Sequence, residues 1–287
     1  MKKPPISRAN AERLMCCCIA IFSFMAAGIL MMLLGYVLAN GWSPLKHGCL
    51  RASMEVGNEP LVEAGWRTIY ALLGATLIAS PLGVSAGIFL SEYAPDTRST
   101  ASIVDGIDSL AEVPPIVYGL FGWGALSLHW GLDASWLILL TLGLWLLPRL
   151  ITVTYAAVQE VPVSFRRESL ALGASRWQTT LKAVLPYAMA DIVAGILEGM
   201  ARVSGVAAPV IMLAASQPLP QEAPLRILPY YLYRSVIESA EIGTESQFGT
   251  ALLLLTICLL LQSAAILVRS IWVSPLSTPN MGERIDG

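Results

Sequence analysis

Long apolar runs separated by short polar stretches organise this chain. A helix that crosses a bilayer needs about 20 consecutive apolar residues. Residues 15–39, 68–91 and 247–268 meet that requirement without a charge. Three further runs meet it with ionisable residues inside: 107–128 with Asp108 and Glu112, 134–158 with Arg149, and 184–215 with Asp191, Glu198 and Arg202. The pattern predicts an all-α, polytopic membrane protein of about six transmembrane helices, with the lipid bilayer as its first partner. The first run follows a basic start, but it is longer than the roughly 7–15 apolar residues of a secretory signal. It is therefore read as a retained anchor.

Composition agrees with the runs. Of 287 residues, 55% are hydrophobic and 13% charged, against roughly 25% charged in soluble domains. The excess apolar surface must face lipid. A net charge of −2, with no basic tail or stripe, argues against nucleic acid as a partner. Five cysteines make no framework: Cys16, Cys17, Cys18 and Cys258 sit in apolar runs, and Cys49 stands alone in a polar stretch. His47 and His129 fall in loops. No cofactor or metal set is called for.

Charge in the loops sets the orientation, because Lys and Arg are retained on the cytoplasmic side. With the N-terminus inside, the inner segments hold Lys2, Lys3, Arg8, Arg13, Arg98, Arg166, Arg167, Arg176, Lys182, Arg269 and Arg284. The outer ones hold only Lys46, Arg51, Arg67, Arg226 and Arg234. Both termini are expected in the cytoplasm. Two long loops, 40–67 and 216–246, are then external. One long loop, 159–186, is internal and strongly basic. It lies between Pro162 and Pro186, and its apolar residues suit two short helices broken at Gly173, where the absence of Cβ permits a tight turn.

The loop segment RRESLALGASRWQTTLKAVLP resembles the cytoplasmic coupling loop of type I ABC importer permeases. Gly173, Ala174, Trp177, Leu185 and Pro186 match that pattern, and Arg167 and Glu168 stand at its acidic head. Four more segments in register, SPLGVSAGIFLSEYAPDTRS, EVPPIVYGLFG, GMARVSGVAAP and LRILPYYLY, resemble the A-type permease subunit of the bacterial phosphate-specific importer. The resemblance covers about residues 62–275. It implies a type I ABC transmembrane domain there, preceded by an N-terminal segment, first helix and external loop (1–61) and followed by a tail (276–287). It also implies the bacterial inner membrane, an ABC ATPase subunit docked on the 159–186 loop, a second homologous permease subunit, and a periplasmic substrate-binding protein.

Several positions depart from the family. Aligned on Gly173, Arg167 occupies the place of the usual glutamate, and the acid moves to Glu168. Val206 and Ala207 stand where the family has Glu and Thr. Thr152, Tyr155 and Ala156 replace its arginine and paired glutamate late in the fourth span. Glu112, Asp191 and Glu198 are gained, and Arg202 matches a family arginine. A charge at the bilayer centre costs at least roughly 2.5–3.5 kcal/mol, so it pairs or faces a cavity. Glu198 and Arg202 are four apart on one helical face. They either line the path, with Arg202 touching the anion, or neutralise each other. Asp191 and Asp108 lie near span ends, at headgroup level. Arg149 either snorkels or meets Glu112. Glu112, Arg149, Glu198 and Arg202 are the candidate translocation-path residues.

The function expected from the resemblance is an ATP-driven permease for inorganic phosphate. The alternatives are a permease for another oxyanion, such as molybdate, sulfate or a phosphonate, or a channel or sensor lacking an ATPase. The chain has no G-x-x-x-x-G-K-[ST] phosphate cradle, so energy must come from a partner. An integral-membrane enzyme is disfavoured, since no histidine lies in a span and no H-E-x-x-H or G-x-S-x-G occurs.

Overall fold

The computed structural model describes residues 8–46, 53–54, 59–215, 226–237 and 244–273. Parts of the two external loops (47–52, 55–58, 216–225 and 238–243), with His47 and Cys49, and the tail from 276 onward lie outside the described residues. In chain order the elements are α1 (Arg8–Lys46), a short antiparallel pair β1 (Ser53–Met54) and β2 (Glu59–Pro60), α2 (Leu61–Glu92), α3 (Arg98–Ala111) and α4 (Pro115–Phe121). They continue with α5 (Ala134–Gln159), α6 (Val163–Ala171), α7 (Arg176–Thr179), α8 (Leu185–Ser204), α9 (Ala208–Ala215), α10 (Leu228–Ile237) and α11 (Thr244–Val273).

Among the described residues five helices are long and apolar enough to cross a membrane: Glu12–Trp42, Leu61–Glu92, Ala134–Gln159, Arg176–Ser204 and Gln247–Trp272. The remaining expected span, 107–128, is discontinuous. α3 ends at Glu112, the chain turns through Val113 and Pro114, and α4 restarts on Pro115 and runs into a π-helical turn at Gly122–Ser127. Two successive prolines explain the break. The residue before a proline is pushed out of the α region, and proline fits the first helical turn, whose N–H has no partner.

The expected span 184–215 is also redrawn. The helix starts earlier, at Arg176, and passes through a π-helical turn, Thr180–Val184, into α8. Pro186 lacks the N–H that would bond back along the helix, and the wider turn lets the Leu185 N–H reach the Thr180 carbonyl instead. At the other end the helix stops at Gly205, four residues before Pro209, and α9 follows as a separate piece.

α5 is the hub. Gly83 and Gly87 of α2 are one turn apart and face it, so that a Cβ built on Gly83 would lie 2.7 Å from Leu150 Cβ, and one on Gly87 2.6 Å from Thr154 Cβ. On another side of α5, Gly195 and Gly199 of α8 meet Val153 and Leu146. Lipid gives helices no hydrophobic reason to associate, so small residues that allow close backbone approach hold such bundles together. Around these contacts Leu72, Leu142, Leu146, Leu150 and Leu213 form the main buried cluster. A second cluster, with Val158, Val161, Val184 and Ala188, sits toward the 159–186 loop. α1 stands outside this core and packs on α11, with Gly41 against the Phe248 carbonyl.

Candidate functional site

The 159–186 loop is two short helices joined by a sharply defined turn. Leu172 closes α6, and Gly173 takes φ +84°, the left-handed conformation that costs L-residues strain. The Ala174 N–H donates to Ser169 O at 3.2 Å and the Gly173 N–H to Leu170 O at 3.0 Å, the paired bonds of a glycine-terminated helix. Ser175 then caps α7: its Oγ accepts from the Gln178 N–H, and the Gln178 side chain accepts from the Ser175 N–H. The turn expected at Gly173 is formed.

Apolar side chains crowd the outside of this turn. Leu172 is 90% exposed and Trp177 61% exposed, and Leu170, with Val163 and Phe165 at the start of α6, is exposed as well. Arg167 and Glu168 also point outward. Leu185, by contrast, packs against the inner cluster, and Pro186 opens α8. The loop residues therefore divide: Arg167, Glu168, Gly173 and Trp177 form the outer surface, with Ala174 half-buried in the turn, while Leu185 and Pro186 anchor it.

The inner end of the loop is tied by Arg166. Its Nε and Nη2 donate to Glu92 Oε1 on α2 at 2.9 and 2.7 Å, its Nη1 to Val161 O at 2.6 Å, and its Nη2 also to Val158 O at 2.8 Å. Ser169 Oγ and Thr179 Oγ1, 2.9 Å apart, bridge the two loop helices, and Tyr93 OH lies 3.2 Å from Thr180 Oγ1.

A polar cleft of about 480 Å³ opens between α5, α8 and the end of α11. Arg149, Thr152, Glu160, Asp191, Glu198 and Arg269 supply its polar lining. Here the alternative in which Glu198 and Arg202 neutralise each other is not realised. Glu198 does not pair with Arg202; its partner is Arg269 of α11, with Nη1 at 3.4 Å, and the same guanidinium donates from Nε to Asp191 at 2.9 Å. Side chains seven apart on α8 lie on one face two turns apart, and a long guanidinium from a neighbouring helix spans them. Asp191 is thus an ion-pair member as well as a span-end residue. Thr152 Oγ1 donates to Asp108 Oδ1 at 2.7 Å, tying α3 to α5.

Arg149 does not meet Glu112 either. Glu112 caps α3, is exposed, and among the described residues has no ion-pair partner. Arg149 lines the polar cleft and also a small hollow that it shares with Arg202, Ala111, Trp145 and Leu146. Among the described residues neither arginine carries an ion pair, and both line this one hollow. Of the four path candidates the structure brings Arg149 and Arg202 together, leaves Glu198 on the adjoining cleft with Arg149, and leaves Glu112 apart.

No protein-family model matches the chain. It is 31% identical over 259 residues, 86% of this chain and 85% of the relative, to "Phosphate transport system permease protein PstA 1" of Mycobacterium tuberculosis. The chain belongs to the PstA permease family. It is also 32% identical over 199 residues, 66% of this chain and 65% of the relative, to "Probable ABC transporter permease protein YqgI" of Bacillus subtilis. Its fold matches the methionine ABC transporter MetNI in inward-facing conformation, with TM-score 0.60 and 19% identity over 74% of this chain and 95% of that one.

This PstA-family permease is a multi-pass membrane protein with a type I importer permease fold. Reading its residues in order missed three contacts that shape the site: Arg269 with Asp191 and Glu198, Asp108 with Thr152, and Arg166 with Glu92. The first left a signal. Two carboxylates on one face of an apolar helix require a cation, and Arg269 lies near the end of a span that packs on that helix. The other two left none, since Thr152 and Glu92 read as ordinary polar residues.

Proposed function

We propose that this permease forms one half of an inorganic-phosphate path driven by a partner ABC ATPase, in the bacterial inner membrane with both termini cytoplasmic. A second, homologous permease completes the path, and a periplasmic binding protein delivers the anion. The chain itself is a transport subunit and hydrolyses no ATP.

The observation that carries this reading is the pair of arginines, Arg149 and Arg202, that line one hollow and carry no ion pair among the described residues. Arginine's planar donor fork matches tetrahedral oxyanions, and a charge at this depth persists where it has a use. Along α8 about 16 Å, at 1.5 Å per residue, separates Arg202 from Asp191 in the adjoining cleft, where Asp191 and Glu198 meet Arg269. Phosphate entering from outside would meet the two arginines first and the cluster of one guanidinium and two carboxylates last. The exposed tip formed by Leu172 and Trp177 is suited to a hydrophobic cleft on the ATPase, and closure of the ATPase pair would displace the loop and reverse the access of the bundle.

The apolar Val206 and Ala207, in the break between α8 and α9, favour testing other oxyanions alongside phosphate. The complex of this chain with its ATPase and second permease, reconstituted in vesicles with the binding protein, is expected to import radiolabelled phosphate only with ATP. Uptake of molybdate or sulfate with no uptake of phosphate overturns the cargo assignment. No ATP-dependent uptake of any of the three overturns the importer reading.

A further inference from the structure

We propose that Arg166 is the joint through which the cytoplasmic loop moves the transmembrane helices. The inference rests on the ATP-driven reading and adds a positioning residue to it. Its hydrogen bonds run to α2 and to the end of α5, and it acts through the helices it holds.

The geometry isolates this residue. α6 buries none of its side chains, so it has no core of its own with which to grip the bundle. What holds it is a short set of directional contacts. Arg166 makes four hydrogen bonds to three places: the Glu92 carboxylate at the end of α2, and the Val158 and Val161 carbonyls at and beyond the end of α5. The two carbonyls matter because a helix C-terminus leaves acceptors unsatisfied, and a cation there also answers the helix dipole. Phe165 against Tyr187 of α8, with ring centroids 5.4 Å apart, adds a softer contact. Both partners of the ion pair are largely covered, with Arg166 20% and Glu92 12% exposed.

A force on the outer surface of the loop reaches the bundle through whichever contacts are stiff. Apolar contacts slide; a guanidinium held by four hydrogen bonds to three groups does not. α2 and α5, the helices Arg166 joins, are the pair locked by Gly83 and Gly87 against Leu150 and Thr154. Displacement of α6 is therefore delivered to that locked pair as a unit. α5 carries Arg149, so the motion also displaces one wall of the arginine hollow. The arrangement also accounts for the head of the loop motif. Arg167 sits in the acidic position yet faces outward, and the acid that engages the loop's inner side comes from α2, as Glu92.

The test measures ATP hydrolysis and anion uptake on the same vesicles, using the reconstituted complex and whichever of phosphate, molybdate or sulfate the native complex carries. In Arg166→Gln and in Glu92→Gln, hydrolysis stimulated by loaded binding protein is expected to stay within about twofold of native. Uptake is expected to fall roughly tenfold, a size usual for coupling between sites, so ATP consumed per anion carried rises by the same factor. The Arg166→Glu, Glu92→Arg exchange restores the ion pair but not the carbonyl bonds and is expected to recover uptake in part. Glu92→Gln keeps the side-chain volume and so serves where Arg166→Gln does not assemble. Variants that stay tightly coupled, or that lose hydrolysis and uptake in equal proportion, overturn the joint and leave the importer reading intact. A native complex without ATP-driven uptake overturns both.

Discussion

Arg269, near the end of α11, donates to the Asp191 carboxylate of α8 at 2.9 Å and so closes one end of the polar cleft. The pair is half open to its surroundings, with Arg269 47% and Asp191 26% exposed. Its worth is therefore expected near the upper end of the range for exposed pairs, about 1 kcal/mol. A double-mutant cycle with Arg269→Gln and Asp191→Asn, read by thermal unfolding in detergent, measures it. Arg269→Gln alone is expected to be the worst of the variants, because it leaves Asp191 and Glu198 both uncompensated. Additive effects of the two single changes would show that the pair contributes nothing.

Gly173→Ala isolates backbone strain. A Cβ there meets nothing within 4 Å, yet φ is +84°. The expected cost is about 1–2 kcal/mol, confined to the loop. Hydrogen exchange should quicken across α6 and α7 while the unfolding temperature of the bundle barely moves. Unchanged exchange in the loop would mean the turn adapts freely.

Gly87→Leu tests the opposite case, where space and not conformation is limiting. Its Cβ would lie 2.6 Å from Thr154 Cβ and 2.8 Å from the Ile151 carbonyl. Backbone cannot yield as a side-chain tip can, so α2 and α5 must separate. The expected loss is roughly 3 kcal/mol or more, at the upper end of overpacking costs, visible as poor recovery of folded protein. Native-like melting would show that the helices can slide apart cheaply.

Arg202→Ala and Arg149→Ala should each lower uptake at least roughly tenfold, equivalent to about 1.4 kcal/mol, with normal amounts in the membrane. Arg202→Lys should recover part of it, as a point charge without the planar fork. Full uptake by either alanine variant removes that arginine from the anion path.

Leu172→Asp and Trp177→Ala address the outer surface of the loop. Each should weaken capture of the ATPase subunit by roughly tenfold or more, the size usual for a central apolar anchor. Retention of native affinity in both would move the docking surface elsewhere.

Much of this protein is written along its chain. Apolar runs of about 20 residues dictate helices in a bilayer whatever their neighbours, since every backbone donor and acceptor must be satisfied within the segment. The turn at Gly173 and the helix break at Pro114 and Pro115 are local too: each follows from the conformations one or two residues allow. The pairing of charges is not local. Glu198 and Arg202 share a face by spacing, yet Glu198 turns to Arg269, seventy-one positions away, because the packing of α11 on α8 brings that guanidinium within reach. Arg202 is thereby left to Arg149, whose position depends on how α5 crosses α8 at Gly195 and Gly199. Arg166 likewise reads as one more basic loop residue until α2 delivers Glu92 to it. Periodicity along one helix settles which side chains lie on the same face. Which helix that face meets, and at what depth, is decided only when the glycine contacts set the crossing of one helix against another.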